Sequence, residues 1–218
     1  HIEYARALEP NAGRWRTPMT SASTTLRELN GLSLAPSSLS ESALIMIDYQ
    51  NTYLEGVMKL EGADKAMEEG RKLLELARGE GIPVFHIRHD AGPGSPYDVS
   101  ARIGAIADAV APKDGEPVIT KNFPNSFVQT DLDEQLKAKG IKNLILAGFM
   151  THMCINSTAH GGFNLGYAPT VVASATATRS LKAANGKVLS AQEVHDGALA
   201  STRDLYAAVV DKITDLPA

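Results

Sequence analysis

The chain has 218 residues, 44% of them hydrophobic and 21% charged, with a formal net charge of −4. These proportions match a globular domain with a sizeable core and exclude general disorder. No basic run could form a phosphate-binding face and no apolar run approaches the ~20 residues of a membrane span, so neither nucleic acid nor a membrane is an expected partner.

Cys154 is the one cysteine, which excludes an intrachain disulfide and multi-cysteine metal sites and favours a reducing, cytoplasmic setting. Residues 1–18 have neither a strand nor a helix period. Met19 is a candidate start, with the preceding residues non-native or an upstream remnant, or a leader lacking a continuous apolar region. Residues 1–42 form an N-terminal arm, in which Thr25-Leu26-Arg27-Glu28 has the spacing of a capping box and predicts one short helical turn.

Regular punctuation begins at the apolar run Ala43–Ile47, a buried-strand pattern that stops at Asp48. Residues 64–78 carry apolar side chains on one helical face, and Gly79 and Gly81 end that helix. Residues 82–87 read as a strand, 90–97 as a turn-rich loop, 101–110 as a short helix and 117–120 as a strand ending at Lys121. A helix over 130–139 follows, with acidic residues in its first turn and basic ones in its last. A strand over 144–147 leads into Gly148, a helix covers about 152–165, and a strand covers 168–173. A long closing helix is predicted over 192–212. Near-continuously apolar strands alternating with helices imply one α/β domain over 43–218, a largely parallel sheet between two helical layers.

Ligands in such sheets bind beyond the carboxyl ends of the strands. The polar residues at those ends include Asp48, His89, Lys121 and Cys154. A thiol near a helix start and an ammonium is expected to have a lowered pKa, and a carboxylate can take its proton and pass it to a leaving amine. Asp48, Lys121 and Cys154 therefore make a candidate set for thiol-mediated acyl transfer. Each also has an ordinary reading, as turn residue, surface charge and small buried residue.

Three stretches carry a resemblance: ALIMIDYQN (43–51), KNFPNSFVQT (121–130) and GFMTHMCINSTAHGGFNLG (148–166). Together they resemble the isochorismatase-like cysteine hydrolases. The resemblance implies a Rossmann-like, three-layer α/β/α fold and an Asp48–Lys121–Cys154 triad in which Cys154 attacks a carbonyl carbon. It also implies an oxyanion hole made by the N–H groups of Met150 and Cys154, a cis bond between Phe149 and Met150, and a homodimer or homotetramer. The D-x-H metal segment of the nicotinamidase branch has no counterpart, because no histidine lies between Asp48 and Ile82. A metal or other cofactor is therefore not expected. His86 and His89 fall on opposite strand faces, the first expected in the core or an interface and the second at a pocket rim.

Substrate-pocket candidates are Gln50, Asn51 and Tyr53 after the first strand, Phe123, Asn125 and Phe127 after Lys121, and Phe149, Thr151 and His152 before the cysteine. Arg88 and Arg179 are the nearby cations that loops could supply. The expectation is a metal-independent hydrolase cleaving the C–N bond of a small amide or ureido compound through a thioester. The alternatives are an ether hydrolase of the isochorismatase type and a non-catalytic binding module. No G-x-G-x-x-G follows a strand and no G-x-S-x-G occurs, which disfavours dinucleotide and serine-hydrolase chemistry.

Overall fold

A computed structural model describes residues 22–218; the readings of residues 1–18 and of Met19 lie outside them. The elements in chain order are α1 (Leu26–Leu29), β1 (Ser42–Ile47), α2 (Ala63–Gly79), β2 (Val84–His89), β3 (Val118–Lys121), α3 (Leu132–Ala138), β4 (Asn143–Phe149), α4 (Asn156–Asn164), β5 (Ala168–Ala177), β6 (Leu181–Lys182), β7 (Val188–Leu189), α5 (Ala191–Leu205) and β8 (Ala208–Val210). The expected capping box is present, with the Thr25 hydroxyl accepting from the Glu28 N–H and the Glu28 carboxylate accepting from the Thr25 N–H. The segment around α1 is tied to the rest of the chain by Arg27, whose guanidinium donates to the carbonyls of Ser33 and Leu205.

Six strands form one parallel sheet in the order β3-β2-β1-β4-β5-β8. The chain winds outward from β1 to β3, then returns to the other side of β1 as β4. That reversal opens a crevice beyond the ends of β1 and β4, the general ligand site of open α/β sheets. The two-residue period of β1 divides the core into two layers. Leu44 and Met46 pack with Leu73, Leu74 and Ala77 of α2. Ala43, Ile45 and Ile47 pack on the opposite face with Leu132 and Leu136 of α3, Ala159 of α4 and Leu199 of α5. Among the described residues no helix is long and apolar enough to cross a membrane.

The join between β1 and β4 is unusually close. Gly148 pairs with Ile47, and a Cβ built on it would meet the Ile47 carbonyl oxygen at 1.8 Å. Its φ of 133° adds a second reason for glycine.

Two predicted helices are corrected. Residues 101–110 form two single 3₁₀ turns, Arg102–Gly104 and Asp108–Val110, because Gly104 lies against the backbone of Asp98, where a Cβ would meet its carbonyl oxygen at 2.2 Å. The closing helix ends at Leu205, and the chain then enters β8, where Val209 and Val210 align with Val171 and Val172 of β5. Apolar spacing alone did not separate these two β-branched residues from a last helical turn. Strand β5 runs four residues past its predicted end to Ala177, the antiparallel pair β6–β7 lies outside the predicted elements, and the others fall close to their predicted ranges.

His86 is buried in β2 as expected. Its Nε2 lies 2.9 Å from the Glu116 carboxylate, which also takes two N–H groups from Arg78 at 2.7 Å. The Arg78 bonds, opposed by burial and helped by the Lys113 N–H and His86, hold the Glu116 carboxyl at about 2.

The Gly148→Ala variant is expected to lose at least about 2 kcal/mol of stability or fail to fold, read from its thermal midpoint against the parent. For Glu116 the folded pKa is below the unfolded value of 4.5, so its stabilisation is present above that pH and is lost as pH falls toward 2. Glu116→Gln should cost on the order of 2 kcal/mol at neutral pH. Urea unfolding at several pH values should show that deficit shrinking in acid.

Candidate active site

Three strand ends bring their polar residues to one point. Asp48 follows β1 with φ 53°, a left-handed conformation that Asp tolerates better than most residues, and its N–H donates to the Ile87 carbonyl. Lys121 is the last residue of β3, two strands away, and its long side chain crosses the end of β2. Cys154 lies in the turn Thr151–Ile155, a wide helical turn that opens α4 after the cis bond between Phe149 and Met150. Asp48, Lys121 and Cys154 are 0%, 1% and 5% exposed.

The Lys121 ammonium is the hub. It donates to Asp48 Oδ2 at 2.7 Å, to Cys154 Sγ at 3.3 Å and to His89 Nδ1 at 3.1 Å. A lysine has three N–H donors and no acceptor, so these contacts use all of them. The second carboxylate oxygen, Asp48 Oδ1, is buried with no hydrogen-bond partner.

Burial pulls the Lys121 ammonium down, but the charge of Asp48 and the neighbouring Cys154 outweigh it and set its pKa above the usual lysine value. Burial, then the charge of Asp48, pushes the Cys154 thiol well up, with Lys121 opposing. This corrects the expectation of a lowered cysteine pKa. A helix start and an ammonium do lower it, but desolvation and a carboxylate on the other side win. The resting residue is a thiol, with a cation to receive its anion and a spare carboxylate oxygen to receive its proton.

The other sequence candidates divide by what their side chains touch. Gln50 braces the backbone: its Nε2 donates to the carbonyls of His89 and Gly104, and its Oε1 accepts from the His89 N–H. Asn51 Nδ2 donates to the Arg102 carbonyl. Phe149 is buried, edge-on to Tyr49 at 4.9 Å and tilted to Tyr53 at 5.4 Å. Tyr53 in turn meets Tyr97 at 5.8 Å. Phe127 stacks on Tyr167, and Asn125 Oδ1 accepts from the Phe127 N–H. Phe123 is exposed.

Thr151 Oγ1 is 2.9 Å from His195 Nδ1, and His152 Nδ1 is hydrogen-bonded to Thr178 Oγ1. Arg88 Nε donates to Thr120 Oγ1, and Arg179 Nη1 rests on the Met58 sulfur. Tyr97, Thr178 and His195 join these groups without a signal in the sequence. Tyr97 comes from an aperiodic loop, and the other two meet the turn Thr151–Ile155 only through tertiary packing.

The isochorismatase domain model matches residues 42–213. The chain belongs to the isochorismatase family. It is 37% identical over 171 residues to the uncharacterized isochorismatase family protein YddQ of Bacillus subtilis, covering 77% of this chain and 94% of that one. It is 31% identical over 173 residues to the ureidoacrylate amidohydrolase RutB of Stutzerimonas stutzeri, covering 63% and 70%. Among solved structures, an isochorismatase from Pseudomonas putida superposes with a TM-score of 0.86 at 36% identity, over 89% of this chain and all of that one. N-carbamoylsarcosine amidase from Thermoplasma acidophilum superposes with a TM-score of 0.66 at 25% identity, over 78% and 95%. The chain is thus an isochorismatase-family enzyme on a three-layer α/β fold. Among its described residues no group of three or more His, Cys, Asp or Glu is placed to hold a metal ion.

Iodoacetamide labelling followed by intact mass reports on Cys154 alone, since it is the one cysteine. Labelling should be slow at neutral pH and accelerate into alkali. Asp48→Asn removes a charge that raises the thiol and should speed labelling; Lys121→Met removes one that lowers it and should slow labelling. Each pKa unit changes the thiolate fraction about tenfold. Equal rates in all three proteins would contradict this electrostatic account.

Proposed function

We propose that this enzyme hydrolyses the C–N bond of a small amide or ureido compound, with Cys154 as nucleophile, Asp48 as proton carrier and Lys121 as charge stabiliser. The observation that carries the reading is the buried ammonium bonded to both the Asp48 carboxylate and Cys154 Sγ. The similarity to a ureidoacrylate amidohydrolase and to an N-carbamoylsarcosine amidase supports the choice of bond.

In the proposed cycle, Sγ attacks the carbonyl carbon as the thiol proton passes to Asp48. The carbonyl oxygen becomes an oxyanion held by the N–H groups of Met150 and Cys154, donors in a water-poor site. As the tetrahedral adduct collapses, the C–N bond breaks and Asp48 returns the proton to the leaving nitrogen. This leaves a thioester, or a thiocarbamate from a ureido group. Asp48 then takes a proton from water, whose oxygen attacks the same carbon. C–S cleavage releases the acid or carbamate, and the proton returns to sulfur. Lys121 stays protonated throughout and offsets the negative charge as it moves between Asp48 and Cys154.

Tyr53, Tyr97, Phe123, Thr151 and His152 are proposed to border the substrate, while the amides of Gln50 and Asn51 hold the loop behind them. A protonated resting thiol suits this scheme, because proton transfer to Asp48 accompanies attack and no free thiolate need accumulate.

The test is ammonia or amine release from a panel of small primary amides and ureido acids. Cys154→Ala should lower turnover at least about 10³-fold, and Asp48→Asn should also be severely impaired although its thiol labels faster. Turnover within tenfold of the parent in Cys154→Ala would overturn the mechanism.

A further inference from the structure

The triad accounts for two of the three donors on the Lys121 ammonium. The third goes to His89 Nδ1 at 3.1 Å. Because an ammonium cannot accept a hydrogen bond, this contact requires Nδ1 to be bare and the ring to be neutral, with its proton on Nε2.

The surroundings of His89 hold it in that arrangement. Its backbone N–H and carbonyl are both bound by the side chain of Gln50, which is itself fully buried. Its ring meets Tyr97 edge-on at 5.1 Å. The strand register places His89 directly beside Lys121.

We infer that His89 is a positioning residue: as a neutral imidazole it takes the third N–H of Lys121 and aims the ammonium at Asp48 and Cys154. Without it, Nζ can rotate toward solvent, and its distance to sulfur is no longer set by the protein. A protonated His89 would place a second cation against the ammonium and remove the acceptor, so acid should disable the arrangement. The charged or titratable groups facing His89 are Lys121 on β3, Asp48 at the end of β1, Asp90 on its own segment and Tyr97 on the loop. Burial, then Lys121, lowers its pKa, and Asp48 and Asp90 oppose. It is therefore neutral at physiological pH, and its protonation is confined to acid.

The tautomer is tested by long-range ¹H–¹⁵N NMR of the full chain at neutral pH, with the His89 signals identified by their loss in His89→Asn. The expected result is a protonated Nε2 and a bare Nδ1. A protonated Nδ1 would overturn the inference. In Lys121→Met the His89 titration should move to higher pH, because a neighbouring cation is gone; an unchanged midpoint would also overturn it.

The effect on turnover rests on the hydrolase reading above. His89→Ala should lower kcat about 10- to 100-fold. His89→Asn offers an oxygen near the position of Nδ1 and should recover most of that loss while removing the histidine inflection from the acid limb of the pH profile. An unaltered inflection in His89→Asn would refute the positioning role. The NMR readout needs no substrate. Failure to find any amide that is turned over would count against the proposed function, while the tautomer result would still decide the role of His89.

Discussion

A lysine ammonium shut away from water is the constraint around which this molecule is arranged. Removing such a charge from solvent costs several kcal/mol unless its donors and its charge are matched. Lys121 meets that condition with a carboxylate, a sulfur and an imidazole nitrogen, each from a different strand or turn. The ion pair with Asp48 has both side chains fully buried. Removing either partner would leave an uncompensated charge inside the protein, so the pair restricts how the ends of β1 and β3 can move.

The fold supplies the geometry this pairing needs. The reversal of strand order beside β1 brings the end of β4 next to that of β1, and Gly148 permits a backbone approach that any side chain would block. The turn that carries Cys154 begins two residues after Phe149, the last residue of β4, so the sulfur inherits its position from a central strand. Hydrogen bonds between Thr151 and His195 of α5, and between His152 and Thr178 just after β5, hold the same turn from the side. Rigid elements thus fix the sulfur, and the less regular segment carrying Tyr97 packs against His89 and Tyr53 beside it.

Electrostatics then sets the resting state. Close burial makes every charge interaction stronger, and the same burial penalises a free thiolate. The outcome at Cys154 is decided by magnitude: desolvation and the Asp48 carboxylate together exceed the attraction of Lys121. A buried cysteine held as a thiol is protected from adventitious alkylation and oxidation, which track thiolate character and exposure.

Much of this was legible in the residues themselves. Apolar runs bounded by glycines and by polar strand ends identified the parallel α/β class, and Asp48, Lys121 and Cys154 stood out because complementary chemical types fell where such sheets bind ligands. Those are local signals, carried by side-chain period and by chain position relative to a strand end. Burial, register and partner choice are not local. The helical spacing of residues 101–110 yielded to a close approach of Gly104 to Asp98, and Val209 and Val210 became a strand because β5 offered an open edge. The residue types of Gln50 and Asn51 mark them as hydrogen-bonding amides, but only the fold shows that they bond the backbone of His89, Gly104 and Arg102. The sign of the cysteine shift depended on how much water the neighbours exclude, and the role of His89 on a contact across two strands. The sequence by itself determined which chemical groups were available and which strand ends would present them. Only the tertiary structure decided which donors met which acceptors, because those pairings are set by distances between segments that the chain brings together last.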